Sequence, residues 1–449
     1  NFRLCSGFYA DILLDIKSLN EKYGRSDYGK GKKYNVEFVS ANPTGPMHMG
    51  NARGGALGDC LAAVLDKAGY NAWREFYVND AGNQIEKFGC SLEARYLQIF
   101  KGDEIEFPED GYQGEDIKDL AKEYADLNGD SLVNVSAEER KKALVDYALP
   151  KNIKKMQADM EKYKIFYDKW FFESELHKSG AVKAVVDLLT EKGLTYEKEG
   201  AVWYKNKEVL TQKLLKEGKS QKYIDNLELK DDVLIRQNGN PTYFTADIAY
   251  HKNKFDRGFT TLIDVWGADH HGHVMRMKGA MDAIGYDGDK LNVVLMQLVK
   301  LVKDGELVRM SKRTGKAIQL GDLLDEVPVD SARFLFNTKE ANTQMDFDLD
   351  LAVSQDNQNP VYYVQYAHAR ICSIFKSLAK EGISPRECTD AEFALLTAPE
   401  EKELINHLAS YTNEIISAAK DYDPTKVTRY VTQLATLFHK FYNACRVKG

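Results

Sequence analysis

Val36-Glu37-Phe38-Val39-Ser40-Ala41-Asn42-Pro43-Thr44-Gly45-Pro46-Met47-His48-Met49-Gly50-Asn51-Ala52-Arg53-Gly54 is the stretch on which the reading of the fold turns. It opens as a short strand at 36–39 and passes through a turn cluster at 42–46. From Ala56 onward, Leu57, Cys60, Leu61, Val64, Leu65 and Ala68 recur at helical spacing until Gly69 ends the run. Residues 72–78 then have strand composition, rich in aromatics. Strand, helix and strand over this length predict a parallel βαβ unit with a right-handed crossover.

A second such unit follows far downstream. Residues 261–266 read as a buried strand; Val274, Met277, Met281 and Ile284 share a helix face closed by Gly285; 292–298 supply the next strand. Two separated βαβ halves predict an α/β fold: a Rossmann-like, doubly wound parallel sheet split by an insertion. Residues 90–230, more charged and mixed, read as inserted material rather than a third sheet. Ile153, Met156, Met160 and Tyr163 mark one amphipathic helix there. From about 355 the pattern is continuously helical. One stripe holds Val361, Val364, His368, Ile371, Phe375 and Leu378; a second holds Leu404, Leu408, Tyr411 and Ile415. A third holds Val427, Val431, Leu434, Phe438, Phe441 and Cys445. These stripes predict an all-α helical bundle domain.

The chain has 449 residues, 43% hydrophobic and 29% charged, enough apolar material for more than one core. No apolar run approaches the roughly 20 residues that cross a membrane, and the first residues carry no signal-peptide pattern. The net charge of −7 argues against coating DNA through a general positive field, while leaving room for a local basic RNA surface. None of the six cysteines forms a Cys-x-x-Cys pair, so reduced thiols in a cytoplasmic protein are expected.

The chemistry-bearing segments begin with a near miss. Gly24-Arg25-Ser26-Asp27-Tyr28-Gly29-Lys30 almost writes a P-loop, but Gly31 stands where Ser or Thr is required, and the segment precedes its strand. His48, Gly50 and Asn51 instead sit between the first strand and its helix, where open parallel sheets bind ligands. Backbone N–H groups there favour an anion, and Gly50 lets a flat base approach. A loop histidine with turn glycines fits this segment equally. Downstream, Arg309-Met310-Ser311-Lys312-Arg313-Thr314-Gly315-Lys316 puts four cations within eight residues. This is either a polyanion clamp or a solvated basic turn.

Taken together, the two segments resemble the paired signature of class I aminoacyl-tRNA synthetases, His-x-Gly-His followed by Lys-Met-Ser-Lys-Ser. The departures are Asn51 in the first and Arg309 in the second. The finer resemblance is to the arginyl-tRNA synthetases. It rests on the stretch before His48, on Val78-Asn79-Asp80-Ala81-Gly82-Asn83-Gln84-Ile85, and on Tyr243-Phe244-Thr245-Ala246-Asp247-Ile248-Ala249-Tyr250-His251. Asp330-Ser331-Ala332-Arg333-Phe334 and Asn359-Pro360-Val361-Tyr362-Tyr363-Val364-Gln365-Tyr366 continue it. The resemblance implies a domain plan. Residues 1–32 would be the tail of an additional N-terminal domain, and 33–300 a catalytic Rossmann-like domain with its connective insert at 90–230. Residues 301–354 would be a linker fold carrying the Met-Ser-Lys loop, and 355–449 a helical anticodon-binding domain, expected to be truncated.

It also implies a reaction: ATP and L-arginine give arginyl-adenylate, and the arginyl group passes to the 3′ end of arginine tRNA. His48, Ser311 and Lys312 would stabilise the reacting phosphate, with Gly50, Asn51, Arg309 and Met310 around the ATP and Mg²⁺ on the leaving pyrophosphate. Asp247 would pair with the substrate guanidinium and Tyr243 pack beside it, four residues apart on one helical face. Glu37, Asn42 and His270 would complete the arginine site. From the residues alone, Asp247 also fits a helix cap and Glu37 a strand-end charge. Asp269-His270-His271-Gly272-His273 is not expected to hold zinc, because adjacent residues on one loop rarely converge on one ion. His270 and His273 are expected to line the nucleotide or arginine pocket. Trp170, Trp203 and Tyr204 read as core or surface aromatics. Two alternatives remain open on the sequence: a ligase of this class for another amino acid, and a non-catalytic tRNA-binding relative.

Overall fold

The computed structural model describes residues 6–308 and 318–447. Along the chain, β1 (Lys33–Glu37), β2 (Asn71–Val78) and β3 (Lys169–Phe172) come first. Next are β4 (Thr195–Lys198), β5 (Ala201–Tyr204) and β6 (Asp232–Ile235), then β7 (Thr261–Gly267) and β8 (Leu291–Met296). β9 (Val299–Lys303), β10 (Glu306–Val308) and β11 (Met345–Asp348) follow.

The central sheet has the order β3-β2-β1-β7-β8, and every pairing in it is parallel. The chain leaves β1 to one side for β2 and β3, then returns on the other side for β7 and β8. The switch point therefore lies between β1 and β7, which is the Rossmann-like arrangement that the two βαβ halves predict. Val36, Leu262 and Ile263 are fully buried, as strands covered on both faces require.

The helix after β1 is Met49–Lys67, starting earlier than the expected Ala56. Its first turns are rich in glycine, so they show no apolar period to read. Gly58 has a packing reason: a Cβ there would lie 2.2 Å from Cγ of Phe38, so only glycine lets the helix lie this close to the sheet. β1 itself stops at Glu37, because Val39 and Ser40 take positive φ values of 73° and 36°. β8 likewise ends at Met296, and Leu298 is 78% exposed.

The stretch 90–230 corrects the expectation of inserted material without a sheet. β3 joins the central sheet, and β4 and β5, with β6 just beyond the stretch, form a separate antiparallel sheet in the order β4-β5-β6. All four are four-residue strands, too short for alternation to stand out. The helix marked by Met156 and Met160 is Ala137–Lys162, and both are buried with Tyr163 against the core beneath the catalytic sheet. Trp170 stacks on Phe76, and Tyr204 is fully buried, so these aromatics are core. Residues 83–148 build a satellite core around Phe88, Tyr96, Ile117 and Leu144.

Beyond β11, Asn359 caps the helix Pro360–Lys380 by accepting from the Val361 N–H. Pro399–Ala409, Tyr411–Asp421 and Thr425–Ala444 follow. The expected 361–378 stripe is only partly the packing face. His368 and Phe375 are exposed, and Ala367, Tyr363 and Ile374 meet Ala435 and Phe438 instead. At those two places the packed residue is the one before the expected residue, while Val361, Val364 and Ile371 keep the stripe. The second stripe is divided at Ser410 between two helices. None of the described helices is long and apolar enough to cross a membrane.

Candidate functional site

A cavity of about 760 Å³ opens at the switch point, where the loop after β1 meets the loops after β7 and β8. Val39, His48, Gly50 and Asn51 line it from the first half, and Gly267, Asp269 and His270 from the second. The helices Met49–Lys67 and His271–Ile284 both start at its wall, so two sets of partially positive N–H groups face it.

His48 is the N-cap of the first helix, and its Nδ1 accepts the Gly50 N–H at 3.1 Å. That fixes the tautomer: the proton sits on Nε2, which is left to donate. Burial lowers the pKa of the ring from its usual 6.5, favouring this neutral form. Asn51 completes a capping box, its Oδ1 accepting the His48 N–H at 2.9 Å. Gly50 leaves room for that ring: a Cβ would stand 3.0 Å from Cε1 of His48, a tight contact that the ring would have to relieve.

Arg309, Met310, Ser311 and Lys312 lie outside the described residues. The residues that bracket that segment, Val308 and Ile318, line the same cavity. Immediately after it, Gln319 pairs with His48 in an isolated β-bridge, and the Leu320 N–H donates to the Met47 carbonyl at 2.9 Å.

In the second half, Ala268–His270 form a single 3₁₀ turn. Asp269 and His270 project from it with side chains 82% and 60% exposed. His273 points elsewhere. Its Nε2 bonds Oδ2 of Asp247 at 3.0 Å, with the rings of Phe244 and Trp266 on either side. Tyr243 and Asp247 are one turn apart on the helix Tyr243–Asp256, and Tyr243 stays 39% exposed. Tyr243 also borders a second cavity of about 490 Å³, with Glu173, His177 and Arg236 on its wall. There the Tyr77 hydroxyl donates to Glu173 at 2.9 Å, and burial raises the Glu173 pKa.

Sequence reasoning thus brought His48, Gly50, Asn51 and His270 to one cavity, and Tyr243 to the rim of another. Asn42 is exposed in the loop between β1 and its helix. Glu37 is buried, and its carboxylate is engaged by Lys254 and by the Ser40 hydroxyl. Glu37, His251 and Asp264 converge within 4.8 Å, a spacing that suits a metal, but the Lys254 ammonium already lies between the two carboxylates.

Several residues of the site were missed. Arg53 is 1% exposed and donates to the carbonyls of Gln297, Glu340 and Thr343 at 2.8–2.9 Å, pinning the loop after β8 at the cavity wall. Its signal was an arginine on the apolar side of a glycine-rich helix start. Asp264 announced itself as a carboxylate inside an apolar strand. In the helical part, the Arg370 guanidinium lies 4.7 Å from the ring centroids of both Tyr366 and Tyr442, beside a cavity of about 640 Å³.

Comparison with known proteins agrees along the whole chain. Residues 14–372 match the family described as tRNA synthetases class I (R), catalytic domain, and residues 364–449 match the DALR anticodon binding domain. The arginine--tRNA ligase of Ruminiclostridium cellulolyticum is 56% identical over 451 residues, covering 100% of this chain and 77% of that protein. That of Caldanaerobacter subterraneus is 57% identical with the same coverage. Among solved structures, a Campylobacter jejuni protein assigned as an arginyl tRNA synthetase superposes with a TM-score of 0.85 at 34% identity. The match covers 99% of this chain and 93% of that one. The Thermus thermophilus arginyl-tRNA synthetase, at 21% identity, shares the fold with a TM-score of 0.72, over 100% and 79% of the two chains.

Proposed function

The chain belongs to the arginyl branch of the class I aminoacyl-tRNA synthetases and is an arginine–tRNA ligase, and from that premise we propose how its side chains divide the work. ATP, arginine and arginine tRNA are its substrates. The observation that carries the division is the meeting of His48, two helix N-termini, Val308 and Ile318 at one cavity.

ATP occupies that cavity, with its base close to Gly50 and its phosphates at the helix starts. An arginine carboxylate oxygen attacks the α-phosphorus, pyrophosphate leaves, and the arginyl-adenylate forms. The His48 Nε2–H donates to the phosphate oxygens as charge builds on them, and Ser311 and Lys312 share that role. Asn51, Arg309 and Met310 shape the nucleotide pocket. Mg²⁺ would neutralise the pyrophosphate, held mostly by phosphate oxygens and water as its chemistry prefers, with Asp269 the carboxylate on hand among the described lining residues.

Asp247 pairs with the guanidinium of arginine. His273 holds Oδ2 of that carboxylate, which leaves Oδ1 to accept from the guanidinium. Tyr243 packs beside the side chain, and Asn42 and His270 face the amino-acid end. Glu37 acts from behind, through Ser40. The cavity of about 490 Å³ bordered by Tyr243 takes the 3′-terminal nucleotide of tRNA, whose hydroxyl attacks the arginyl carbonyl and releases AMP. The Tyr366–Arg370–Tyr442 surface offers aromatic and cationic faces on which unpaired anticodon bases stack. The five described cysteines are free thiols, in keeping with a cytoplasmic enzyme.

The test is ATP–pyrophosphate exchange with each of the twenty amino acids, with and without arginine tRNA, repeated on Asp247→Ala. Exchange is expected with arginine alone. The substitution should raise the arginine KM by about 100-fold, as loss of a charged partner does, with the ATP KM nearly unmoved. An unchanged arginine KM would refute the role of Asp247.

A further inference from the structure

Behind the arginine helix lies a set of charges that neither step of the reaction requires. The Lys254 side chain is wholly buried. Its ammonium forms an ion pair with Glu37, donates to Oδ1 of Asp264 at 2.9 Å, and sits 4.4 Å from the Tyr250 ring centroid. His251 completes the set. Its Nε2 lies 2.7 Å from Oδ2 of Asp264, and its Nδ1 lies 2.7 Å from the Asp247 carbonyl oxygen. A carboxylate and a carbonyl both accept, so both ring nitrogens carry protons. Although burial opposes charge, Asp264 raises the pKa of His251, in agreement with that geometry. Two buried carboxyl groups thus face two buried cations; burial pushes the Glu37 carboxyl up, and Lys254 opposes that rise.

Stability alone does not explain such a cluster, because replacing buried ion pairs with well-packed apolar side chains is often neutral or stabilising. What the cluster does is tie together elements that the site needs in register. Glu37 is the last residue of β1, and its Oε1 accepts the Ser40 hydroxyl at 2.8 Å. Ser40 Oγ in turn accepts the Tyr77 N–H at 3.1 Å. Val39 and Ser40 hold left-handed φ values, unusual for a β-branched residue, and such strain at roughly 1–3 kcal/mol each persists only where neighbours enforce it. This turn sets the course of the loop carrying Asn42. On the other side, Lys254 and His251 belong to the helix that carries Tyr243 and Asp247.

We propose that Lys254 is a positioning residue for arginine recognition, bridging the Val39–Ser40 turn to the helix that presents Asp247. Through Glu37 and Ser40 it fixes the loop on one side of the amino acid, and through its own helix it fixes the carboxylate on the other. Val39 also lines the nucleotide cavity, but the His48 ring is held by its own cap, so the bridge acts mainly on the arginine side. The inference rests on the assignment of Asp247 to the guanidinium.

The experiment measures arginine KM, ATP KM and kcat by pyrophosphate exchange on the full chain with arginine tRNA, for Lys254→Met, Ser40→Ala and Asp247→Asn. Lys254→Met should raise the arginine KM about tenfold or more while the ATP KM changes less than about twofold. Removing one partner of a buried ion pair is costly, so Lys254→Met can fail to fold. Ser40→Ala leaves every buried charge paired, and it should raise the arginine KM about threefold with folding retained. Arginine and ATP parameters falling together, or an arginine KM unmoved in Ser40→Ala while Asp247→Asn raises it, would overturn the positioning role. An arginine KM unmoved in Asp247→Asn sinks the guanidinium assignment, and this inference with it.

Discussion

The two βαβ halves of the central sheet each deliver a loop to the same cavity, and they hold those loops in different ways. The loop after β1 is locked at every stage: Val39 and Ser40 are strained and pinned by Glu37. His48 and Asn51 close a reciprocal cap, and Gln319 bridges to His48 from outside. The loop after β7 is one 3₁₀ turn whose Asp269 and His270 stand largely in solvent. A group that must meet developing charge gains from being fixed beforehand, because no reorganisation is then needed during the reaction. Groups that only gather a substrate can be ordered by that substrate as it arrives. On the proposed division of roles, transition-state work therefore falls to the first half and ground-state binding to the second.

The largest effect should come from the locked side. His48→Ala is expected to lower kcat for adenylate formation by about 100-fold or more, with a small change in ATP KM. If ATP KM rises and kcat stays, His48 is a binding group and the contrast between the halves fails. The same residue gives a pH signature. Its folded pKa lies below the usual 6.5, so the neutral capping ring contributes stability that is fully present above pH 6.5. That contribution is lost as pH falls through the lowered value, because protonated Nδ1 cannot accept from Gly50. The acid limb of kcat should accordingly lie below pH 6.5.

A smaller effect tests the open side. Asp269→Asn should raise ATP KM, and His270→Ala the arginine KM, by about tenfold or less; both should leave kcat within a few-fold and barely move the Tm, since exposed side chains contribute little to stability. A kcat loss as large as that of His48→Ala would show that the second half also acts in the transition state.

The same contrast explains what was legible in the sequence. Helical periods and their glycine ends revealed the helix His271–Ile284 and the parallel halves, because those signals are local. The four-residue strands β3 to β6 carry too few residues to show a period. His48 could be placed because strand, loop and helix adjoin in the chain, although the cap made by Asn51 could not. The Lys254 bridge joins residues 217 positions apart, so no spacing in the sequence announces it. Asp264 within an apolar strand was a readable sign that a buried cation waited opposite. Glu37 looked like a strand-end charge or a substrate contact, and its partner came from that same distant helix.

Asn51 is the finest test of how the locked half is locked. The family signature places a histidine there, and here an asparagine accepts the His48 N–H. Asn51→Ala removes that acceptor, which for an N-terminal cap is worth about 1 kcal/mol, and should lower the Tm by about 1 °C in a chain of this size. Asn51→Asp keeps an acceptor and adds a charge that suits the helix N-terminus, so the Tm should hold or rise. The same charge would face the triphosphate across the cavity, and ATP KM should increase severalfold. Thermal melts and exchange kinetics on the two variants separate the two roles. If both variants melt like the parent while ATP KM follows charge alone, Asn51 lines the nucleotide pocket without locking it. If the Tm falls in Asn51→Ala and holds in Asn51→Asp, the cap is what keeps His48 pointed at the phosphate.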